Sequence, residues 1–200
     1  MFKKILALSP HTDDIELGCG GTLKKFKEKG SDIHIVNFAL AKPLKEGDVY
    51  DEFKQSMKLI DSKYDMLGYK VRSLNLHRQE ILDYLYKLQN KEKFDLVLCH
   101  STHDIHQDHE TVTKEALRAF RNTSIFGYEL PWNCLKFSTD VFVGLDKKHL
   151  EFKRKLLDCY KSQLDRSFMT KEYIYDIART RGLQCGKKYA ESFENIRTIL

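Results

Sequence analysis

Apolar stretches of strand length alternate along this chain with stretches whose apolar residues recur at helical spacing, and this alternation restricts the fold more than any other feature. Ile5–Ser9 reads as a short buried strand, followed by a helix over Leu17–Lys29 that exits at Gly30-Ser31. Asp32–Ala39 runs apolar more than it alternates, as in a strand covered on both faces. Tyr50–Ser62 carries Phe53, Met57 and Ile60 at helical spacing, and His77–Leu88 carries Ile81, Leu82, Leu85 and Leu88. Phe94–Cys99 is a compact apolar strand, and Glu110–Phe120 is helical through Val112, Ala116, Leu117 and Phe120. Ser124–Leu130 and Val141–Leu145 read as later strands, and residues 151–200 as mainly helical. The succession predicts βαβ units with right-handed crossovers: an α/β, Rossmann-like three-layer fold around a mostly parallel central sheet. Ligands of such sheets bind beyond the carboxyl ends of the strands. That directs attention to Pro10–Gly21, after the first strand, and to His100–His109, after Phe94–Cys99.

Composition narrows the classes. The chain has 200 residues, 42% of them apolar, which suffices for one core; no repeat or linker divides residues 1–200, so they read as a single domain. The net charge of +5 comes from lysines scattered along helical segments such as Leu23–Lys29 and Lys147–Lys161, which are read as solvated faces. Without a basic stripe interleaved with aromatics, nucleic acid is excluded as a partner. Cys19, Cys99, Cys134, Cys159 and Cys185 are odd in number, widely spaced and without a CxxC pair, which predicts reduced thiols in a cytoplasmic protein. The opening MFKKILALSP imitates a signal peptide only faintly, since polar His11, Asp13 and Asp14 follow its short apolar run. No segment approaches the roughly 18 apolar residues that span a bilayer.

The chemistry concentrates in the two post-strand segments. One contains His11-Thr12-Asp13-Asp14-Ile15-Glu16, the other His100-Ser101-Thr102-His103-Asp104-Ile105-His106-Gln107-Asp108-His109. Four of the eight histidines fall in that second run. An imidazole and a carboxylate three positions apart on a strand-to-helix turn face one point, and a third ligand from another strand end closes a facial set with a position left for water. Each segment alone has a plain reading, as a capped helix start and as a polar loop; together, at the right strand ends, they favour a metal. Gly18-Cys19-Gly20-Gly21 does not match a dinucleotide or P-loop pattern, and Asp13, Asp14 and Glu16 would repel a phosphate there. These glycines are read as allowing close backbone packing beside the metal.

The pair HTDD…ELGCGG and HQDH resembles the LmbE-like, or PIG-L, family of zinc-dependent N-acetylglucosaminyl deacetylases, whose motifs are written HPDD-x-E-x-G-x-G-G and HxDH. The resemblance extends to Tyr128-Glu129-Leu130-Pro131-Trp132-Asn133, Tyr160-Lys161-Ser162-Gln163 and Arg181-Gly182…Tyr189-Ala190-Glu191. Thr12 replaces the usual proline, and the family's Gly-Glu segment is not recognisable in Ala39–Lys45. The resemblance implies that His11, Asp14 and His109 hold Zn²⁺, that Asp13 is the general base and that His106 is its electrostatic or acid partner. The implied substrate is a small N-acetylated sugar, sugar nucleotide or glycoconjugate. Zinc would lower the pKa of its water towards ~7 and polarise the amide carbonyl. His106, as imidazolium, would stabilise the oxyanion and protonate the leaving amine.

Other residues carry two readings each. Asp108 is either the N-cap of the Glu110–Phe120 helix, the favoured reading, or a carboxylate that orients His106 or His109. His100, His103 and Asp104 read as loop polarity or as supports of the ligands. Tyr128 and Trp132 are candidates to stack on a sugar face, with Glu129 and Asn133 bonding its hydroxyls, or else pack in the core. Arg179 and Arg181 would meet a phosphate or lie on a surface helix; Arg78 has no assigned task. Two rivals differ in class. An Fe(II) oxygenase would use His11, Asp13 and His109 as an HxD…H triad, though such triads often sit on all-β folds. A non-catalytic, zinc-stabilised sugar-binding module leaves the second acid, Asp13, without a purpose. Oligomeric state, homo-oligomer included, is left open.

Overall fold

The computed structural model describes residues 2–40 and 49–199. Its chain order is β1 (Lys4–Ser9), α1 (Asp14–Glu28), β2 (Asp32–Leu40), α2 (Val49–Ile60), β3 (Lys63–Lys70), α3 (Arg78–Lys91), β4 (Leu96–His100), α4 (Gln107–Ala119), β5 (Ser124–Tyr128), β6 (Val141–Leu145), α5 (Lys147–Leu157), α6 (Lys171–Gln184) and β7 (Tyr189–Arg197). The strands form one sheet in the order β3-β2-β1-β4-β5-β7-β6. β1 to β5 pair in parallel, while β7 runs antiparallel to both β5 and β6.

Strand alternation sorts the core into two layers. Leu6, Leu8, Val36, Phe38, Val97 and Cys99 face α3 and α4 and meet Ile81, Leu85, Val112 and Ala116. Their neighbours Ile5, Ala7, Ile33, Ile35, Leu96 and Leu98 face the other way and meet Ile15, Leu23, Phe53 and Met57 of α1 and α2. Both faces of the central strands are therefore covered, which is why β2 reads as an apolar run. The three-layer α/β expectation is met.

The departures have physical causes. β3, which reads KYDMLGYK, is not among the strands read from the sequence; it is an edge strand, half-buried at most, so its apolar signal is weak. β7 falls where helix was expected. Three of its buried residues are Glu191, Ser192 and Glu194, which are satisfied by specific bonds rather than by apolar packing. Glu191 accepts from Gly21 N, Thr22 N and Lys153 Nζ at 3.1, 2.7 and 2.7 Å. The 18–21 glycines do permit close packing, but against β5 to β7 and α5 rather than beside the candidate ligands. A Cβ on Gly18 would lie 2.2 Å from Cδ2 of Tyr128, and one on Gly21 would lie 2.7 Å from Leu145. α1 and α4 each begin three residues earlier than their apolar periodicity, at Asp14 and Gln107. Ala39–Lys45, where no Gly-Glu pattern was found, lies mostly outside the described residues.

Candidate metal centre

Neighbours β2 and β4 leave β1 on opposite sides, so the connections after β1 and β4 flank the crevice where strand order reverses. Residues 10–13 turn the chain from β1 into α1, and the amide of His11 donates to Asp14 Oδ2 at 2.7 Å. Residues 101–106 turn β4 into α4. The early start of α4 makes His106 its N-cap, with Asp108 N donating to His106 Nδ1 at 3.1 Å, and places His109 one turn further on the same side.

Three donor atoms converge. His109 Nε2 lies 3.1 Å from His11 Nδ1, His11 Nδ1 lies 3.3 Å from Asp14 Oδ2, and Asp14 Oδ2 lies 3.5 Å from His109 Nε2. A tetrahedral ion with ligands at about 2.0–2.1 Å has edges of about 3.3 Å. The triangle is thus the right size for one face of such a site. His11 and His106 with His109, and Asp14 and His100 with His109, are the overlapping trios of potential ligands that also come together here.

Each ligand-side imidazole is held from behind by a carboxylate. His11 Nε2 meets Asp108 Oδ2 at 3.0 Å, and His109 Nδ1 meets Asp104 Oδ2 at 2.9 Å. In the neutral imidazoles these bonds place the proton on the rear nitrogen and leave Nδ1 of His11 and Nε2 of His109 as donors to an ion. Asp108 therefore does neither job expected of it. The cap is His106, and the imidazole it supports is His11. Its carboxylate also receives Arg72 N at 2.6 Å and Leu74 N at 3.1 Å, which locks the segment after β3 to the site. Asp104 is the support of His109, and its other oxygen accepts His106 N at 2.8 Å. His100, fully buried, stacks on His109 at 3.6 Å and lies between Asp104 (3.2 Å) and Asp14 (3.3 Å).

The local field favours positive charge. Burial opposes the charged form of His11, yet Asp14 and Asp108 outweigh it and raise the imidazole to about 10. Burial likewise opposes ionised Asp14, but His109, His11 and His100 hold it well below the usual carboxylate range. Asp13 behaves oppositely: burial, then the charge of Asp14, pushes it up to about 6. His106 is lowered by burial and by the charge of His11, so it is neutral at pH 7. Because its Nδ1 accepts the Asp108 N–H, its proton sits on Nε2.

A cleft of about 300 Å³ opens over these groups, lined by Asp13, Asp14, His106 and His109 below and by Arg72, Trp132, Asn133, Arg166 and Phe168 above. Trp132, 37% exposed, stacks on Phe168 at 4.1 Å. Tyr128 corrects its expectation. It is fully buried against Gly18, and its hydroxyl donates to Leu8 O at 2.8 Å, so no ring face is open to a sugar. Glu129 is likewise taken, held in a fork by Arg181 at 2.6 and 2.7 Å, which also removes Arg181 as a phosphate ligand. Arg179 pairs with Asp176, Arg78 with Glu115, and His103 is exposed.

Two supports were assigned no role from the sequence. Tyr160 OH bonds Thr12 O and Glu16 Oε1, and Ser56 donates to the same Glu16 oxygen, which ties the 10–13 turn to α2 and to the segment after α5. Glu194 of β7 accepts from Ser101 Oγ at 2.7 Å and Thr102 N at 2.8 Å, anchoring the loop that carries Asp104.

Fold and site together define an α/β protein with a candidate His-Asp-His cation cradle at the switch point of its sheet. Residues 6–120 match the family model PIG-L, described as GlcNAc-PI de-N-acetylase, and the chain belongs to this family of amide hydrolases. It is 29% identical over 169 residues to the uncharacterized deacetylase YaiS of Escherichia coli (strain K12), a match covering 80% of this chain and 91% of YaiS. The fold is shared with N,N'-diacetylchitobiose deacetylase from Pyrococcus horikoshii, at TM-score 0.78 and 20% identity over 96% of this chain and 83% of that one. GalB, the 4-carboxy-2-hydroxymuconate hydratase of Pseudomonas putida KT2440, has the same TM-score of 0.78 at 18% identity over 99% of this chain and 98% of its own. This fold therefore serves more than one reaction, and the site must decide between them.

Proposed function

We propose that the chain is a zinc-dependent deacetylase that hydrolyses the acetamide of an N-acetylated amino sugar or its conjugate to acetate and a free amine. The observation that carries this reading is the triangle of His11, Asp14 and His109, whose edges of 3.1, 3.3 and 3.5 Å fit a tetrahedral ion, with unligated Asp13 beside it. His11, Asp14 and His109 would hold the ion; bound there, zinc supplies a water of lowered pKa and polarises the acetamide carbonyl. Asp13, whose carboxyl is raised towards neutrality, accepts the proton of the attacking water. His106 donates its Nε2 proton as a hydrogen bond to the developing oxyanion. Since His106 is neutral, the amine nitrogen takes its proton from Asp13, which has just gained one. This replaces the imidazolium acid expected from the sequence. The Trp132–Phe168 pair offers an apolar wall for the sugar.

The Fe(II) alternative loses its motivation. The oxygen that meets both histidines is on Asp14, not Asp13, and the sheet is not an all-β double-stranded helix. We place the activity in one domain spanning the chain and in the cytoplasm, where its five unpaired cysteines would stay reduced. Among the described residues no helix is long and apolar enough to cross a membrane. The test is acetate and primary-amine release from a panel of N-acetylhexosamine derivatives, with chelated and zinc-reconstituted protein. Zinc-dependent stoichiometric release of both products supports the reading. Equal release by protein shown to be metal-free contradicts it.

A further inference from the structure

The upper part of the cleft has a property that deacetylation of a neutral sugar does not require. Arg78 and Arg118 pair with Glu115, Arg154 with Asp158, Arg179 with Asp176 and Arg181 with Glu129. Arg72 and Arg166, which line the cleft, meet no carboxylate within ion-pair distance among the described residues. Among the described residues the cleft lining holds no lysine, and its acids are Asp13 and Asp14, which lie with the histidines.

Neither arginine is there by default. Arg72 has a φ of 66°, a left-handed conformation that an L-residue adopts only when its surroundings impose it. Here they do: its N–H donates to Asp108 Oδ2 at 2.6 Å and its carbonyl accepts from Gln107 Nε2 at 2.7 Å. Both of its peptide groups are thus fixed to the start of α4, beside the ligands, and fix where its side chain enters the cleft. Arg166 lies over the ring of Phe168, 5.7 Å from its centroid, and Phe168 stacks in turn on Trp132. A guanidinium held over a ring face, with no carboxylate partner among the described residues, has N–H donors available to an oxyanion.

We propose that the N-acetylated substrate carries an anionic group, a phosphate or carboxylate, that Arg72 and Arg166 bind while the acetamide lies at the Asp13 end of the cleft. This rests on the deacetylase reading above. The arginines also set the orientation, because they draw an anion to the exposed end of the cleft.

The experiment reads product binding and so does not depend on turnover. Calorimetry would measure glucosamine 1-phosphate, carboxymethyl glucosaminide and neutral methyl glucosaminide on the zinc-loaded protein and on the Arg72→Gln/Arg166→Gln double variant. Both side chains are exposed, so the variant should fold as the parent does. At least one anionic ligand should bind the parent about tenfold or more tightly than the neutral one, as expected of charge-assisted bonds. The double variant should lose most of that ratio, and the better anion identifies the group. Equal affinities, no binding, or an advantage that survives both substitutions and hence belongs to the metal would each overturn the proposal. Acetate release from neutral N-acetylhexosamines without an anionic preference would leave the deacetylase reading intact and remove this one alone.

Discussion

Asp108→Asn separates a carboxylate that tunes a ligand from one that merely braces a loop. In the parent, Oδ2 receives His11 Nε2 at 3.0 Å and Arg72 N at 2.6 Å, and Oδ1 receives Leu74 N at 3.1 Å. Asparagine has one acceptor oxygen where aspartate has two. Whichever way its amide turns, an NH₂ group faces at least one of these N–H donors in a buried place. Leaving such a donor unmatched costs about 1–3 kcal/mol. His11 meanwhile loses the charge behind Nε2 that keeps its proton there and its Nδ1 free. Losses of that kind typically lower metal affinity about 10–100-fold, or about 1.4–2.7 kcal/mol. Chelator competition gives the zinc affinity, and urea unfolding of the metal-free protein gives the stability. Both should fall. A variant that loses stability yet binds zinc as tightly as the parent would refute the role assigned to Asp108 at His11.

Three further outcomes follow from other parts of the structure. Gly18→Ala puts a Cβ 2.2 Å from the buried Tyr128 ring, whose hydroxyl is pinned to Leu8 O, so stability should drop by about 1–3 kcal/mol or more; a loss under about 0.5 kcal/mol by denaturant titration would contradict that packing. Burial raises the Glu16 carboxyl from its ordinary 4.5 to about 8, against its bonds to Ser56 and Tyr160. The folded state then holds the proton, so this contribution to stability is full below about pH 4.5 and disappears as pH rises through about 8. Urea midpoints of the metal-free protein should show that decline, and Glu16→Gln should flatten it. Asp13 must be ionised to act as a base, so kcat/KM should fall on acidification below about 6, with a bound cation moving that limb lower; a profile without an acidic limb would argue against it.

The parallel core and the two site segments were legible because burial on both faces leaves continuous apolar runs, and because His11 to Asp14 and His106 to His109 are local clusters at strand ends. What sequence could not reveal depends on pairings distant in the chain. Asp108 meets His11 across 97 positions, and nothing local distinguishes that from an N-cap. Asp104 looks like loop polarity until α4 is seen to start at Gln107 and turn His109 towards it. β7 is hidden because the carboxylates of Glu191 and Glu194 face inward to bond Lys153 and the amides of Gly21, Thr22 and Thr102, a pattern opposite to that of an amphipathic strand. Tyr128 misled for a related reason: its position after an apolar run fits a cleft wall, but Gly18 makes room for its ring in the core.

The central claim is that adjacent carboxylates divide the work, with Asp14 in the cation cradle and Asp13 on the proton. The most direct measurement is zinc per chain and acetate release for Asp13→Asn and Asp14→Asn side by side. Asp14→Asn should lose zinc and activity together, since Asp14 Oδ2 supplies two edges of the donor triangle. Asp13→Asn should keep close to one zinc per chain while kcat falls about 10²–10⁴-fold with little change in KM. Loss of zinc from Asp13→Asn with zinc retained by Asp14→Asn would contradict the account and reassign the third ligand to Asp13.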